Sequence, residues 1–412
     1  MFTPSHLKMR KTRHRNKGLF GSALLLAAIA AISIGQSRAA DWQLFGPNAP
    51  DIEFHGFASQ GFLDSTGYNY LGASKNGSLA YTELGLNASF NPFPRTRIAL
   101  QGIAYDVGDA GKYDPILDYA MAEYTFNDYI GIRGGRIQRP QGIYNDIQDL
   151  DLGRTFVLLP QAVYDARWRD FYESLDGADL FGTIPLGACG SLTYEIYGGV
   201  IRPSMDGGVA LEIRNELPPS AHLDELNTPK VIGGQFWWNA PLDGLRLGAA
   251  GVYIPSFTFT NSFETPFGPI RSVTKSSVVG QQYSAEYLWK AWTFQSEGCF
   301  LANTSRLAPS TNEYDLGWYA SAAYRFNKWL ETGAYYDEYY IQGAGKATLT
   351  SHSDTFQKDA AVAVRFDVTN RWIFKVEGHY IHGTALLEDN ALNPERRDNG
   401  WWMIALKSTI SF

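Results

Sequence analysis

From about residue 52 onward the chain alternates apolar and polar side chains in short segments. Trp372, Phe374, Val376, Gly378 and Tyr380 interleave with Ile373, Lys375, Glu377 and His379. Leu316, Trp318, Ala320, Ala322, Tyr324 and Phe326 interleave with Asp315, Tyr319, Ser321 and Arg325. A period of two is the signature of a β-strand with two unlike faces. The pattern predicts strands near 52–62, 78–90, 95–106, 115–126, 129–138, 174–184, 190–201, 229–239, 245–255, 277–289, 291–302, 313–326, 329–341, 357–367, 371–382 and 400–412, sixteen in all. Many exceed the five or six residues usual in soluble sheets and reach the roughly 9–11 that a tilted strand needs to cross a bilayer.

The links decide between a soluble sandwich and a membrane barrel. Short and long links alternate without a break. Asn91-Pro92-Phe93-Pro94, Asn127-Asp128, Asn327-Lys328 and Thr369-Asn370 are short; 63–77, 107–114, 139–173, 202–228, 256–276, 303–312, 342–356 and 383–399 are long. Short periplasmic turns and longer external loops are a property of outer-membrane barrels. Aromatic residues crowd the short turns: Phe90, Phe93, Phe126, Tyr129, Trp289, Trp292, Phe326, Trp329 and Trp372. Amphipathic rings settle at the headgroup level, so this predicts an interfacial girdle. The expected fold is all-β, a transmembrane antiparallel barrel of sixteen strands with both termini on the periplasmic side.

Composition agrees. Hydrophobic residues make up 45% of the chain and aromatics 14%, yet no run of 18 apolar residues follows Ile34. Spanning helices are therefore excluded. The first 39 residues read as an export signal: a basic stretch holding Lys8, Arg10, Lys11, Arg13, Arg15 and Lys17, an apolar run from Leu19 to Ile34, and Ser37-Arg38-Ala39 before a cut ahead of Ala40. Residues 40–412 then form the barrel. Removing seven basic residues with the signal leaves 28 basic against 42 acidic side chains, a formal net charge of −14. Such a surface repels nucleic acid. Cys189 and Cys299 are too few for a disulfide framework and are expected to be free thiols at opposite ends of the barrel.

Residues 139–173 form the longest interval without strand character, and they follow the fifth strand. Loops of this length are commonly functional or disordered. Phe156, Val157, Leu158, Val163, Tyr164, Trp168 and Phe171 argue against disorder. A loop folded inward would pack them on the wall and turn its charges to the pore. The stretch from Gly135 through Arg136, Arg139-Pro140-Gln141-Gly142 and Asn145 resembles a family of Gram-negative porin-like barrels, as do Leu159-Pro160-Gln161, Arg169-Asp170 and the opening strand Phe54–Phe62. The sequence pattern is similar over 51–182, and the architecture over the whole mature chain. The terminal Phe412 also resembles the aromatic end of outer-membrane barrels, which the barrel-assembly machinery reads. The resemblance implies that the third loop, 139–173, folds into the lumen as a constriction. It also implies a homotrimer in outer-membrane lipid; small and polar residues on both faces of the first strand, among them Gly56, Ala58, Gln60, Ser59 and Gly61, would let barrels approach closely.

Alternation supplies inward-facing cations at Arg97, Arg246, Arg325, Arg365, Lys375 and Lys407, and acids at Glu83, Glu123, Glu195, Glu286, Glu297, Asp337 and Glu377. On the strand 129–138 Arg133 and Arg136 fall on opposite faces, and the pattern does not say which points inward. The expected constriction residues are Glu83, Arg97, Glu123, Arg133, Arg136, Arg139, Asp146, Asp149, Asp151, Arg154, Arg167, Arg169 and Asp170. Acids on one side and guanidinium groups on the other select solutes by size and by a transverse field. Phosphate-selective porins differ in carrying a ladder of arginines. Here acids at least match bases, so the reading is a weakly cation-preferring channel for small polar solutes. A barrel plugged by its own loop and used for binding, adhesion or structure is the alternative. An enzyme is not expected: of His55, His222, His352, His379 and His382 only His379 falls mid-strand facing inward, and no nucleophile–base pair, metal-ligand spacing or phosphate loop accompanies it. No cofactor or metal is expected.

Overall fold

The computed structural model describes residues 52–108, 110–266, 268–305, 311–343, 353–387, 392–393 and 400–412. The expected export signal, residues 1–39, lies outside them. Sixteen strands close into one antiparallel ring: β1 (Glu53–Ser65), β2 (Tyr81–Phe93), β3 (Thr96–Val107), β4 (Ile116–Asn127), β5 (Ile130–Gln138), β6 (Ser174–Pro185), β7 (Ser191–Val200), β9 (Lys230–Asn239), β10 (Leu245–Phe263), β11 (Ile270–Trp289), β12 (Trp292–Ser305), β13 (Thr311–Arg325), β14 (Leu330–Gly343), β15 (Phe356–Thr369), β16 (Trp372–Gly383) and β17 (Trp401–Ser411). The ring closes where β1 pairs with β17, Ser59 opposite Thr409 and Phe57 opposite Ser411.

A further strand, β8 (Ala221–Leu226), stands outside the ring. It pairs with the far end of β10, while β7 pairs directly with β9. β10 and β11 therefore run well past their expected ends near 255 and 277. Beside Pro255 the register shifts between Ile254 and Phe257, and pairing resumes through Phe263. A bulge is one of the few places where a strand tolerates a proline, because the missing N–H falls where the ladder is already interrupted.

Local chemistry sets the short turns. The Asn127 side chain accepts from the backbone N–H of Tyr129 (2.9 Å) and Ile130 (3.1 Å), and Asn327 does the same for Trp329 (2.9 Å) and Leu330 (3.0 Å). These side chains imitate a backbone turn, which is why asparagine opens both hairpins. Arg95 (φ 64°) and Lys290 (φ 56°) take the left-handed conformation at two other turns.

Burial inverts the rule of soluble sheets. Along β16 the buried residues are Ile373, Lys375, Glu377, His379 and Ile381, whereas Trp372 and Tyr380 are exposed. Along β17 Lys407 and Thr409 are buried and Trp402 and Ile404 exposed. Leu86, Leu100, Ile132, Ile196, Tyr283, Leu316 and Val362 extend the exposed apolar face around the ring. So continuous an apolar surface suits lipid, not water. Phe93, Phe126, Tyr129, Trp289, Phe326, Trp329 and Trp372 are exposed beside the short turns, as a girdle requires.

Candidate functional site

Residues 139–173 contain three short 3₁₀ turns and one helical turn, α1 (Arg169–Tyr172). Their apolar side chains pack at four places on the buried face of the ring. Val157 and Leu158 join Leu63, Tyr81, Ile381, Trp401 and Met403; Phe156 packs on Tyr335, Ala361 and Ala363. Ile143, Tyr144, Leu159 and Tyr164 join Trp237 and Tyr319, and Phe171 joins Ile137, Leu175, Tyr197 and Ile254. The aromatic residues of this segment thus find walls contributed by strands from all around the ring.

Charged side chains of the wall cap the segment's backbone. Glu377 accepts from the N–H of Val157 (2.7 Å) and Leu158 (3.1 Å). Lys375 donates to the carbonyls of Asp151 (2.8 Å) and Phe156 (3.0 Å), and Arg365 to those of Leu152 (2.7 Å) and Arg154 (3.1 Å). Asp337 receives the Ala162 N–H at 3.4 Å. Among the described residues Glu297 has no cation beside it, and it accepts from Ser284 Oγ (2.5 Å), Tyr319 OH (2.8 Å), Ile143 N (3.0 Å), Gln282 Nε2 (3.0 Å) and Tyr164 OH. A buried carboxylate is tolerable when its lone pairs are met in this way.

Two carboxylates organise the charges. Asp151 receives Lys375 (3.2 Å), Lys407 (3.1 Å), Arg154 Nε (3.1 Å) and the Thr409 hydroxyl (2.5 Å). Glu83 lies between Lys407 (2.5 Å) and Arg169 (2.5 Å). Arg169 also pairs with Glu173 (3.1 Å) and Asp149. Asp118, Asp149 and Glu173 bring ligand oxygens within 4.8 Å of one another, and Arg169 supplies positive charge to two of them.

The expected site residues divide accordingly. Glu83, Asp149, Asp151, Arg154 and Arg169 meet in this network. Arg139 is fully buried, with its guanidinium 4.8 Å above the Tyr172 ring. Arg167 is held by Asp165 (Nε–Oδ1 2.9 Å), and Asp170 accepts from Ser204 N (3.4 Å). Asp146 is exposed. Arg97 and Glu123 face each other in the β3–β4 register toward the short turns, away from the network. The two arginines of β5 have separate partners. Arg133 shares its face with buried Ile137 and binds Asp179 (2.9 Å) and Glu195. Arg136 falls on the other face and pairs with Asp176 at 3.3 Å. Its Nε also donates to the Asp118 carbonyl at 3.1 Å, beside the carboxylates of Asp118, Asp149 and Glu173. Lys375, Lys407, Glu297, Asp337 and Glu377 were legible as inward charges, but their partners within 139–173 were not.

The segment leaves a cavity on each side. One of about 240 Å³ lies toward the short turns, lined by Arg154, Arg325, Arg365, Glu286 and Glu331. The other, of about 220 Å³, lies toward the long links. The two cysteines are free, Cys189 in the β6–β7 turn and Cys299 within β12.

Comparison with solved structures places the ring. It superposes on a loop L8 deletion mutant of OmpT, an outer membrane protein of Vibrio cholerae, with a TM-score of 0.59 at 8% identity, covering 89% of this chain and 100% of that one. An anion-selective porin from Comamonas acidovorans gives 0.52 at 8% identity over 88% and 100% of the two chains, and OmpF of Salmonella typhi 0.52 at 13% over 88% and 98%. The fold is that of the outer-membrane porins. No family model matches the sequence, and no curated protein does. At these identities the porin likeness resides in strand number, closure and link parity rather than in shared residues.

The charge network around Asp151 has a pH signature. Burial would raise the Asp151 carboxyl, but Lys375, Lys407 and Arg154 outweigh it and hold the group well below the usual carboxylate range. A depressed carboxyl contributes stability that is fully present above its unfolded value of about 3.9 and is lost as pH falls through the lower, folded value. The segment 139–173 is therefore expected to stay fastened to the wall from neutrality down to about pH 4 and to loosen below it. Hydrogen exchange at the Val157 and Leu158 amides, measured at decreasing pH, checks this; release already at pH 5–6 contradicts it.

Proposed function

We propose that this protein is a passive diffusion channel of the bacterial outer membrane for small polar or ionic solutes, with residues 139–173 as its constriction. The observation that carries the reading is the closed sixteen-strand ring whose apolar face is exposed and whose charged face is buried. Such a wall suits lipid outside and a polar passage inside. The bonds from Glu377, Lys375, Arg365, Asp337 and Glu297 to the segment support its role as the narrowest point, with a cavity on either side.

Acids and bases are mixed at this level. Residues 139–173 hold four arginines, Arg139, Arg154, Arg167 and Arg169, against Asp146, Asp149, Asp151, Asp165, Asp170 and Glu173. A small negative excess gives a weak cation preference, which salt erodes once the Debye length, about 10 Å at 0.1 M, falls below the pore radius. Purified protein in a planar bilayer is expected to show stepwise conductance, with a reversal potential in a KCl gradient that favours cations slightly at low salt. A clear anion preference overturns the charge argument.

The same dense bonding favours a second reading, a barrel plugged by 139–173 and used for binding or structure. Absence of any conductance from correctly folded protein selects it. Catalysis is not proposed: His379 is buried, held between Asp359 (2.8 Å) and Glu377 (2.9 Å) with the Tyr335 hydroxyl at 3.4 Å.

Assembly as a homotrimer in outer-membrane lipid belongs to the same proposal. OmpT of Vibrio cholerae in its trimer form has a similar fold (TM-score 0.54, 11% identity, covering 89% of this chain and 100% of that one). Of the small residues of β1, Ser59 and Gly61 are buried, Gly61 against the Tyr81 ring, and Phe412 covers Gly56, which leaves Ala58 for close approach of a neighbouring barrel. Native mass measurement in mild detergent is expected to give three chains per particle; one chain rejects the trimer.

A further inference from the structure

Asp170 lies at the start of α1, yet its partners come from another link. A second helix, α2 (Gly208–Glu216), follows β7. The Asp170 carboxylate accepts from the N–H of Val209, in the first turn of that helix, and from the N–H of Ser204 at 3.4 Å. The N-terminus of α2 has no cap of its own, because Gly207 stands at the capping position and the first turn holds no acid. Asp170 therefore supplies the acceptor and the negative charge that a helix N-terminus favours. Two glycines permit the approach. A Cβ on Gly207 would collide with Asp170 Oδ2, and one on Gly208 with the Arg167 carbonyl oxygen. Gly208 is the first helical residue, so alanine suits its backbone and only the contact forbids it.

The helix is fastened to the same segment along its length. Val209 is fully buried in one cluster with Phe171, and Ile213, Trp168 and Tyr172 pack against that cluster. Glu212 faces Arg167. Ahead of the helix, the Asp206 carbonyl accepts from Gly111 N (3.1 Å) and its carboxylate pairs with Lys112 (3.2 Å), both in the link between β3 and β4. Residues 202–216 thus cross from one long link to the segment 139–173. The Lys112 pair is exposed and contributes little, so the hold lies at Asp170 and the apolar cluster.

We propose that residues 202–216 are a strap that holds the segment 139–173 from the long-link side, with Asp170 as a catch that acid tightens. Burial pushes the Asp170 carboxyl up to about 6; the two N–H bonds oppose this, and Glu173 of the same segment adds to it. Tyr105 of β3 faces the carboxyl from the wall. The neighbouring cations are engaged elsewhere, Arg167 with Asp165 and Arg169 with Glu83, Glu173 and Asp149, and on the strap Asp206 turns to Lys112. Released into water, the carboxyl returns to about 3.9. The docked form therefore binds the proton more tightly than the released form. Docking strengthens as pH falls through about 6 and levels off near about 4. A neutral carboxyl keeps an oxygen to accept the N–H bonds. That a tighter strap narrows the passage rests on the channel reading.

Hydrogen exchange at the Val209 amide of the full-length protein in detergent reads docking without any current. Its protection, relative to an unstructured peptide at the same pH, is expected to rise about tenfold from pH 7 to pH 5. Asp170→Asn keeps an acceptor but cannot ionise, and its protection is expected to stay level over that range. Gly208→Ala is expected to lose about tenfold in protection at pH 5, although alanine is the better helix former. Heat-modifiable gel mobility identifies the folded variants. If Asp170→Asn does not fold, Gly208→Ala, which lies off the barrel strands, carries the test together with the wild type. Protection that is level or falls toward pH 5 in the wild type, an equal rise in Asp170→Asn, or wild-type protection in Gly208→Ala overturns the strap. Conductance separates the two proposals. The expected exchange pattern without conductance leaves the strap and refutes the channel, whereas conductance without that pattern refutes the strap alone.

Discussion

Replacing Lys407 by methionine is expected to cost the folded barrel about 3–5 kcal/mol, the range for removing one partner of a buried ion pair. Lys407 is buried, its ammonium 2.5 Å from Glu83 and 3.1 Å from Asp151 and 4.7 Å above the Tyr81 ring. Methionine fills a similar volume, so the loss comes from charge rather than from a void. Arg169 still faces Glu83, and Lys375 and Arg154 still face Asp151, which places the cost toward the lower end of that range. Adding Glu83→Gln to Lys407→Met removes one of the stranded charges and is expected to recover part of the loss. Denaturant unfolding of liposome-inserted protein, followed by tryptophan fluorescence, measures both. Equal stability of wild type and Lys407→Met would mean that water already solvates this ammonium, and that the charges on the wall do not form a fastened network.

Much of the ring was legible because a membrane barrel leaves a period-two record in every strand. β16 illustrates this: Trp372, Phe374, Val376 and Tyr380 must meet lipid, and Lys375, Glu377 and His379 cannot. Every one of the sixteen expected segments corresponds to a ring strand, and most ends agree within a few residues. The failures have local causes. β10 was expected to end near 255, but the register shifts at a bulge beside Pro255 and the strand continues to Phe263. The link 202–228 was read as loop, yet it holds α2 and β8. Val209, Leu211 and Ile213 within Gly208–Glu216 carry too short a pattern to stand out, and β8 exists only because the far end of β10 offers it an edge.

The site was less legible for a different reason. Alternation gives the face on which a side chain lies, not its partner across the ring. Lys375 and Asp151 are separated by 224 residues, and Glu377 and Val157 by 220, so no local rule joins them. The two arginines of β5 show the limit most directly. Their spacing put them on opposite faces, yet both are about equally buried, Arg133 on Asp179 and Glu195 and Arg136 on Asp176 and the Asp118 carbonyl.

Glu377→Ala is expected to raise single-channel conductance several-fold and to make the open current noisier. The Glu377 carboxylate is the acceptor for two consecutive backbone N–H groups, those of Val157 and Leu158, and both side chains are buried. A buried donor left without a partner costs about 1–3 kcal/mol, so the docked position of this turn would lose about 2–6 kcal/mol. Leaving the wall and finding water then becomes competitive, because the residues concerned are linked to solvent-facing turns at Leu150 and to the cavity toward the short turns. His379 keeps Asp359 as a partner, which limits the damage on the wall itself. The effect should therefore differ in kind from that of Lys407→Met. Lys407 joins two carboxylates and bears on global stability, whereas Glu377 holds the segment's backbone and bears on the aperture. Current recordings in planar bilayers, together with unfolding measurements on the same variants, separate the two. Wild-type conductance and noise in Glu377→Ala would show that residues 139–173 do not set the width of the passage.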